Sequence, residues 1–174
     1  MDRLVGNFLQ FARSDRRERR AIDLRELLKT IAQLVKKEAE WRRVEVQMEI
    51  DEDAPAVMAD AEAIRSSILN LVLNSFEAMP DGGKLCLVLR AEGDRAVVEV
   101  TDTGAGIAEE DQERVFEFAY TTREAGHGLG LAMVHQCVVE EHGGEVDLQS
   151  SSGNGTRVRL ALPVGDVEPS IEGV

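Results

Sequence analysis

The 174-residue chain has no run approaching the roughly 20 consecutive apolar residues that a membrane span requires, and its N-terminus lacks the charged, apolar and small-residue series of a signal peptide. A soluble, cytoplasmic chain without membrane contact is the expectation. Cysteine is scarce: Cys86 and Cys137 each stand alone in an apolar pattern, outside any CxxC pair or cysteine–histidine cluster of metal-ligand spacing. Both are expected as buried thiols. Nothing matches GxxxxGK[ST], which excludes a P-loop. Basic residues are short as well: 20 Lys and Arg against 33 Asp and Glu leave a net charge of -13, without the basic footprint that nucleic-acid phosphates demand.

What is present suffices for one well-packed domain with a small appendage, since 43% of the residues are hydrophobic. The charge is uneven. Residues 1–20 carry +3 and the remainder -16, which predicts a boundary near residue 20. Before it, Leu4, Phe8 and Phe11 recur at helical spacing, and the arginine-rich stretch Arg16 to Arg20 follows. This amphipathic helix, expected from Leu4 to Arg20, packs either on the chain's own domain or, as favoured here, on a partner helix, a route to a homodimer.

Beyond the boundary, Ile22 to Asp23 reads as a short strand. Leu24, Leu27, Leu28, Ile31, Leu34 and Val35 form a helical stripe ending near Arg42. Val44 to Ile50 alternates as a strand, Val57 to Ala59 is extended, and Asp60 caps a helix through Ile64, Ile68, Leu71, Val72 and Phe76 that Pro80 and Gly82-Gly83 stop. Lys84 to Ala91 and Arg95 to Thr101 flank Gly93-Asp94 as a hairpin, Leu129 to Glu141 is a further helix, and Glu145 to Ser150 with Thr156 to Leu162 form a second hairpin around Gly153-Asn154-Gly155. The expected fold is a two-layer α/β sandwich with a mixed, largely antiparallel sheet. The division is 1–20 helix, 21–163 domain and 164–174 polar tail.

Three features carry chemistry. Asn70 and Asn74 share one face of an otherwise apolar helix. They are either solvated or capping amides, or an oxygen source for Mg²⁺, which needs only one or two protein oxygens beside water and phosphate. Asp102 closes an apolar strand and enters Thr103-Gly104-Ala105-Gly106, where glycines permit close backbone approach to a planar ligand. It is either a turn-forming residue or an acceptor for the exocyclic amine of adenine, where guanine presents a carbonyl. Gly126-His127-Gly128-Leu129-Gly130 leads into a helix whose free N–H groups suit a triphosphate, or is merely a flexible connection.

Taken together these segments resemble the ATP-binding catalytic domains of bacterial sensor histidine kinases, within the wider GHKL group of ATPases, over roughly residues 1–163. Asn70 to Ala78 resembles the N box, Asp102 to Ile107 the first glycine box, Val115-Phe116-Glu117-Phe118 the F box, and Thr121-Thr122-Arg123 the start of the lid. Gly126 to Leu131 resembles the second glycine box and Gly153 to Thr156 the third. The resemblance implies the Bergerat-type ATP-binding fold, ATP and Mg²⁺ as cofactors, Asn74 as the metal ligand, Asn70 on the phosphate side, Asp102 as the adenine acceptor, and Gly104, Gly106 and Ile107 around the base. Glu77, Thr121, Thr122, Arg123, Gly126, His127, Gly128, Leu129, Gly130, Leu131 and Thr156 complete the implied nucleotide contacts, with Asn70 and Asn74 as the catalytic pair. Arg123 stands where lysine is commoner, and His127 where threonine or serine is usual. The short lid and Ala78-Met79-Pro80-Asp81-Gly82-Gly83 are similar to the nitrogen-regulation type of sensor kinase.

Such kinases phosphorylate a histidine followed by an acidic residue on a dimerising helical hairpin, and pass the group to an aspartate of a response-regulator receiver domain. Here His127 precedes Gly128, His135 precedes Gln136 and His142 precedes Gly143. Residues 1–20 resemble the end of that hairpin's second helix. The chain is therefore expected to be a catalytic fragment, nearly inactive alone, whose partners are the dimerisation domain and the receiver domain. ATP-hydrolysing clamps of the same group carry a glutamate base where Asn70 stands, and an amide cannot take a water proton. A serine kinase of anti-sigma type and a nucleotide-dependent docking module share the fold and are the alternatives.

Overall fold

A computed structural model describes residues 19–117, 120 and 130–165. The helix expected from Leu4 and the tail from residue 166 lie outside the described residues. Arg20 was expected to end that helix, but it already belongs to strand β1, Arg20–Ile22, which pairs antiparallel with β3, Val57–Ala59. The strand expected at Ile22 to Asp23 is thus displaced toward the N-terminus, because Asp23 is taken up in capping the next helix.

That helix, α1, runs from Leu24 to Arg42. The Asp23 carboxylate accepts from the Arg25 backbone N–H at 2.9 Å, satisfying one of the donors a helix start leaves open. At the other end Arg43 turns left-handed at φ 58°, and its N–H reaches the carbonyls of Ala39 and Glu40. Leu24, Leu28, Ile31, Val35 and Ala39 form the buried stripe between the two caps. Helix α2, Ala61–Ala78, starts on Asp60, whose side chain accepts from the N–H groups of Glu62 and Ala63. It buries Ile64, Ile68, Leu71, Val72 and Phe76.

Both helices cover one face of a five-stranded sheet ordered β2-β4-β5-β7-β6, with β2 Val44–Ile50, β4 Gly83–Glu92, β5 Arg95–Asp102, β6 Glu145–Ser150 and β7 Thr156–Pro163. Among the described residues only β2 and β4 pair in parallel, and the two expected hairpins are antiparallel neighbours. This is the mixed two-layer sandwich of the sequence reading. Leu85, Leu87, Leu89, Val98, Val100, Leu160 and Leu162 point into the core beneath the helices. Each such side chain contributes about 1.5–3 kcal/mol of burial. The opposite face is laced by cross-strand ion pairs, including Glu99 with Arg157 and Glu145 with Arg95. Cys86 lies half-buried on that face, not in the core, because the alternation that buries Leu85 and Leu87 turns it outward.

A short helix α3, Glu109–Gln112, follows the first glycine-rich loop. Helix α4, Gly130–His135, continues as a π-helix over Gln136–Glu141, where a regular α-helix was expected. No helix among the described residues is long and apolar enough to cross a membrane.

Candidate nucleotide-binding site

Asp102 ends β5 on the side that faces the helices, in line with Val98 and Val100, so the strand delivers its carboxylate into the edge of the core. Only 5% of the residue is exposed. A carboxylate there requires donors, and three are supplied. Oδ1 accepts from the N–H groups of Gly104 at 2.9 Å and Thr156 at 3.2 Å, while Oδ2 accepts from the Ser75 hydroxyl of α2 at 2.8 Å.

The loop after Asp102 is pinned on both sides. Ala105 N–H donates to the Ala78 carbonyl at the end of α2, and a Cβ on Gly104 would stand 2.6 Å from that same oxygen. Gly106 holds φ +70°, with Ser151 O only 2.0 Å from where its Cβ would be. Ile107 N–H donates to Ser150 Oγ at 2.8 Å, and Ser150 in turn donates to the Gly155 carbonyl and meets Thr156 Oγ1 at 3.0 Å. Gln112 of α3 donates to the carbonyls of Ile107 and Ser150. The first and third glycine-rich segments and the end of α2 thereby form one hydrogen-bonded unit around Asp102.

Asn70 and Asn74 lie half-buried, one turn apart, and Glu77 follows one turn later, exposed. Neither asparagine amide makes a hydrogen bond among the described residues, in contrast to the caps and turns elsewhere. The start of α4 leans on this face: a Cβ on Gly130 would lie 3.3 Å from Asn74 Nδ2. Leu131, next along α4, packs against the core. Asp102, Gly104, Gly106, Ile107 and Thr156 are therefore brought together, as are Asn74 and Gly130. Thr121, Thr122, Arg123, Gly126, His127, Gly128 and Leu129 lie outside the described residues.

Phe116, in the segment resembling the F box, sets its ring 5.7 Å from that of His135 on α4. Arg114 stacks over Tyr120 at 4.1 Å, and the Tyr120 hydroxyl donates to Asp111, which raises the phenol above its ordinary range.

Two residues escaped the sequence reading. Ser75 occupies a core-facing position of α2 beside Leu71, Val72 and Phe76, and a hydroxyl at such a position signals a buried acceptor nearby. Ser150 ends β6 among half-buried residues and leaves no comparable pattern. Cys137 is a buried thiol, as expected, and the fold also places ligand atoms of Cys137, Glu141 and His142 within 4.8 Å of one another, a cluster the sequence spacing did not indicate. The π-helical winding brings them together. His142 is nevertheless committed to the backbone: Nε2 accepts from Asp60 N–H at 3.1 Å, so the proton is on Nδ1, which lies 2.7 Å from the Cys137 carbonyl. The ring ties the end of α4 to the cap of α2.

A family model described as histidine kinase-, DNA gyrase B- and HSP90-like ATPase matches residues 59–166, from the end of β3 through β7. The chain belongs to this ATPase family. Its kin are sensor kinases: the sensor histidine kinase ZraS of Escherichia coli O157:H7 is 34% identical over 164 residues, 94% of the chain. The chain spans 36% of the length of that relative. Among solved structures, the catalytic domain of the histidine kinase ThkA superposes with a TM-score of 0.77 at 28% identity, covering 84% of this chain and 95% of that one. Full-length ShkA in complex with AMPPNP reaches 0.82 at 28% identity over 92% of this chain and 35% of its own. This ATPase-family chain is thus homologous to sensor histidine kinases and has the fold of their catalytic domains.

Proposed function

We propose that the chain binds Mg²⁺-ATP and donates the γ-phosphoryl group to a histidine on a separate dimerisation domain, for relay to the aspartate of a response-regulator receiver domain. The observation that carries the reading is Asp102: a buried carboxylate whose Oδ1 is saturated and whose Oδ2 retains an acceptor position, set in a glycine-lined loop at the end of a strand. An exocyclic adenine amine is the complementary donor. Gly104, Gly106, Ile107 and Thr156 surround the base in this reading.

Asn74 fits the metal. Its amide is half-buried and makes no hydrogen bond among the described residues, and its oxygen can serve as the single protein ligand that Mg²⁺ accepts beside water and phosphate. The ion supplies charge neutralisation on the phosphates. Asn70 and Glu77 extend the same helix face toward the phosphate side. Thr121, Thr122, Arg123 and the segment Gly126 to Leu131 are assigned to triphosphate binding in the same reading, with His127 standing where the resemblance implies a hydroxyl. Phosphoryl transfer depends chiefly on such positioning. Water is not activated, because Asn70 cannot act as a base.

The residues before Arg20 are assigned to the dimerisation hairpin's second helix, the chain from β1 through Pro163 to the catalytic domain and 164–174 to a tail. The domain works in the cytoplasm. The test is transfer of labelled phosphate from ATP to a separately supplied hairpin bearing the acceptor histidine. Acid-labile label on that histidine is the expected result, and label on serine or threonine instead would favour the anti-sigma type of kinase and overturn the reading.

A further inference from the structure

Asp102 and Asn74 stand at the two ends of the proposed nucleotide site, and a single residue joins them. Ser75 follows Asn74 on α2, about 100° further around the helix. Its neighbour therefore faces α4 while Ser75 itself turns into the core, 4% exposed, and donates to Asp102 Oδ2 at 2.8 Å.

The lone-pair count at Asp102 makes that donation decisive. An ionised carboxylate accepts and never donates, with about two acceptor positions on each oxygen. Gly104 and Thr156 fill both positions on Oδ1. Ser75 fills one on Oδ2 and leaves one. The hydroxyl has a single hydrogen, and it is spent on the carboxylate, so it cannot also be offered to a ligand. At this point the pocket presents one acceptor of fixed direction. A 6-aminopurine offers an N–H there, whereas a 6-oxopurine places oxygen against oxygen.

We propose that Ser75 is a specificity-determining positioning residue: its hydroxyl anchors Oδ2 of Asp102 so that the remaining lone pair reads the 6-amino group of the base. The proposal rests on the adenine reading above. It adds that discrimination at the base is built on the helix that carries Asn74, so base recognition and phosphate positioning share one rigid element.

The test is titration calorimetry of the full chain with Mg²⁺ and two ligands, ATP and purine riboside triphosphate, in which hydrogen replaces the 6-amino group. The wild type is expected to prefer ATP by tenfold or more, as one hydrogen bond to a charged group implies. Ser75→Ala is expected to lower ATP affinity about tenfold and leave the purine analogue within twofold, so that the ratio collapses. Ser75→Cys, of similar size but a weak donor, should match Ser75→Ala. Because unfolded chain binds neither ligand, partial unfolding cancels from the ratio. A ratio unchanged in both variants overturns the role of Ser75 while sparing the adenine reading; a wild type indifferent to the 6-amino group overturns both.

Discussion

Gly155 passes so close to Asp102 that a Cβ placed on it would stand 1.9 Å from the Asp102 carbonyl oxygen, and its own φ is +80°. Two independent constraints, contact and conformation, therefore demand glycine at one position of the third glycine-rich segment. Gly153 has a comparable φ of +78° but open space where its Cβ would be. Gly153→Ala is expected to cost about 1 kcal/mol of stability for backbone strain alone, and Gly155→Ala more than about 3 kcal/mol, since β7 must move away from β5. Urea unfolding of the two variants checks the difference.

Asn74 makes no hydrogen bond among the described residues, so Asn74→Ala should leave stability within about 0.5 kcal/mol of wild type. ATP affinity in the presence of Mg²⁺ should nevertheless fall tenfold or more, approaching the affinity that wild type shows in EDTA. Calorimetry with and without the metal, beside a thermal melt of each protein, separates the two effects.

His142 behaves in this account as a structural tie. Its removal strands the Asp60 N–H at the cap of α2 and the Cys137 carbonyl in the π-helix. His142→Ala is expected to destabilise by about 2–4 kcal/mol. Zn²⁺ should leave the wild-type melting temperature unchanged, because both ring nitrogens already serve backbone groups. A rise in that temperature with Zn²⁺ would instead make Cys137, Glu141 and His142 a metal site.

Much of this architecture was legible in the sequence because it is written in periodicity and punctuation. The stripe from Leu24 to Val35 located α1, the capping aspartate Asp60 the start of α2, and Gly93-Asp94 and Gly153-Asn154-Gly155 both hairpins, whereas Asp23 was read as strand and proved to be the cap of α1. Cys86 was misplaced because a strand with both faces largely apolar does not announce which one is covered. Cys137 and Glu141 share a face at ordinary helical spacing, but the approach of His142, five residues from Cys137, was hidden because that spacing is brought together where the helix widens into a π turn. Asp102 was legible as a candidate from the glycines around it. Its three donors were not, since Ser75 and Thr156 are distant in sequence and two of the donors are backbone groups.

The proposed role of Asp102 as the reader of adenine is tested most directly by calorimetric titration of the wild type and of Asp102→Asn with non-hydrolysable analogues of ATP and GTP. The wild type is expected to bind the ATP analogue at least a hundredfold more tightly than the GTP analogue, and Asp102→Asn to lose most of that margin, because its NH2, placed where Oδ2 stood, opposes the 6-amino group of adenine and suits the 6-oxo group of guanine. Equal affinity of the wild type for the two nucleotides would contradict the account.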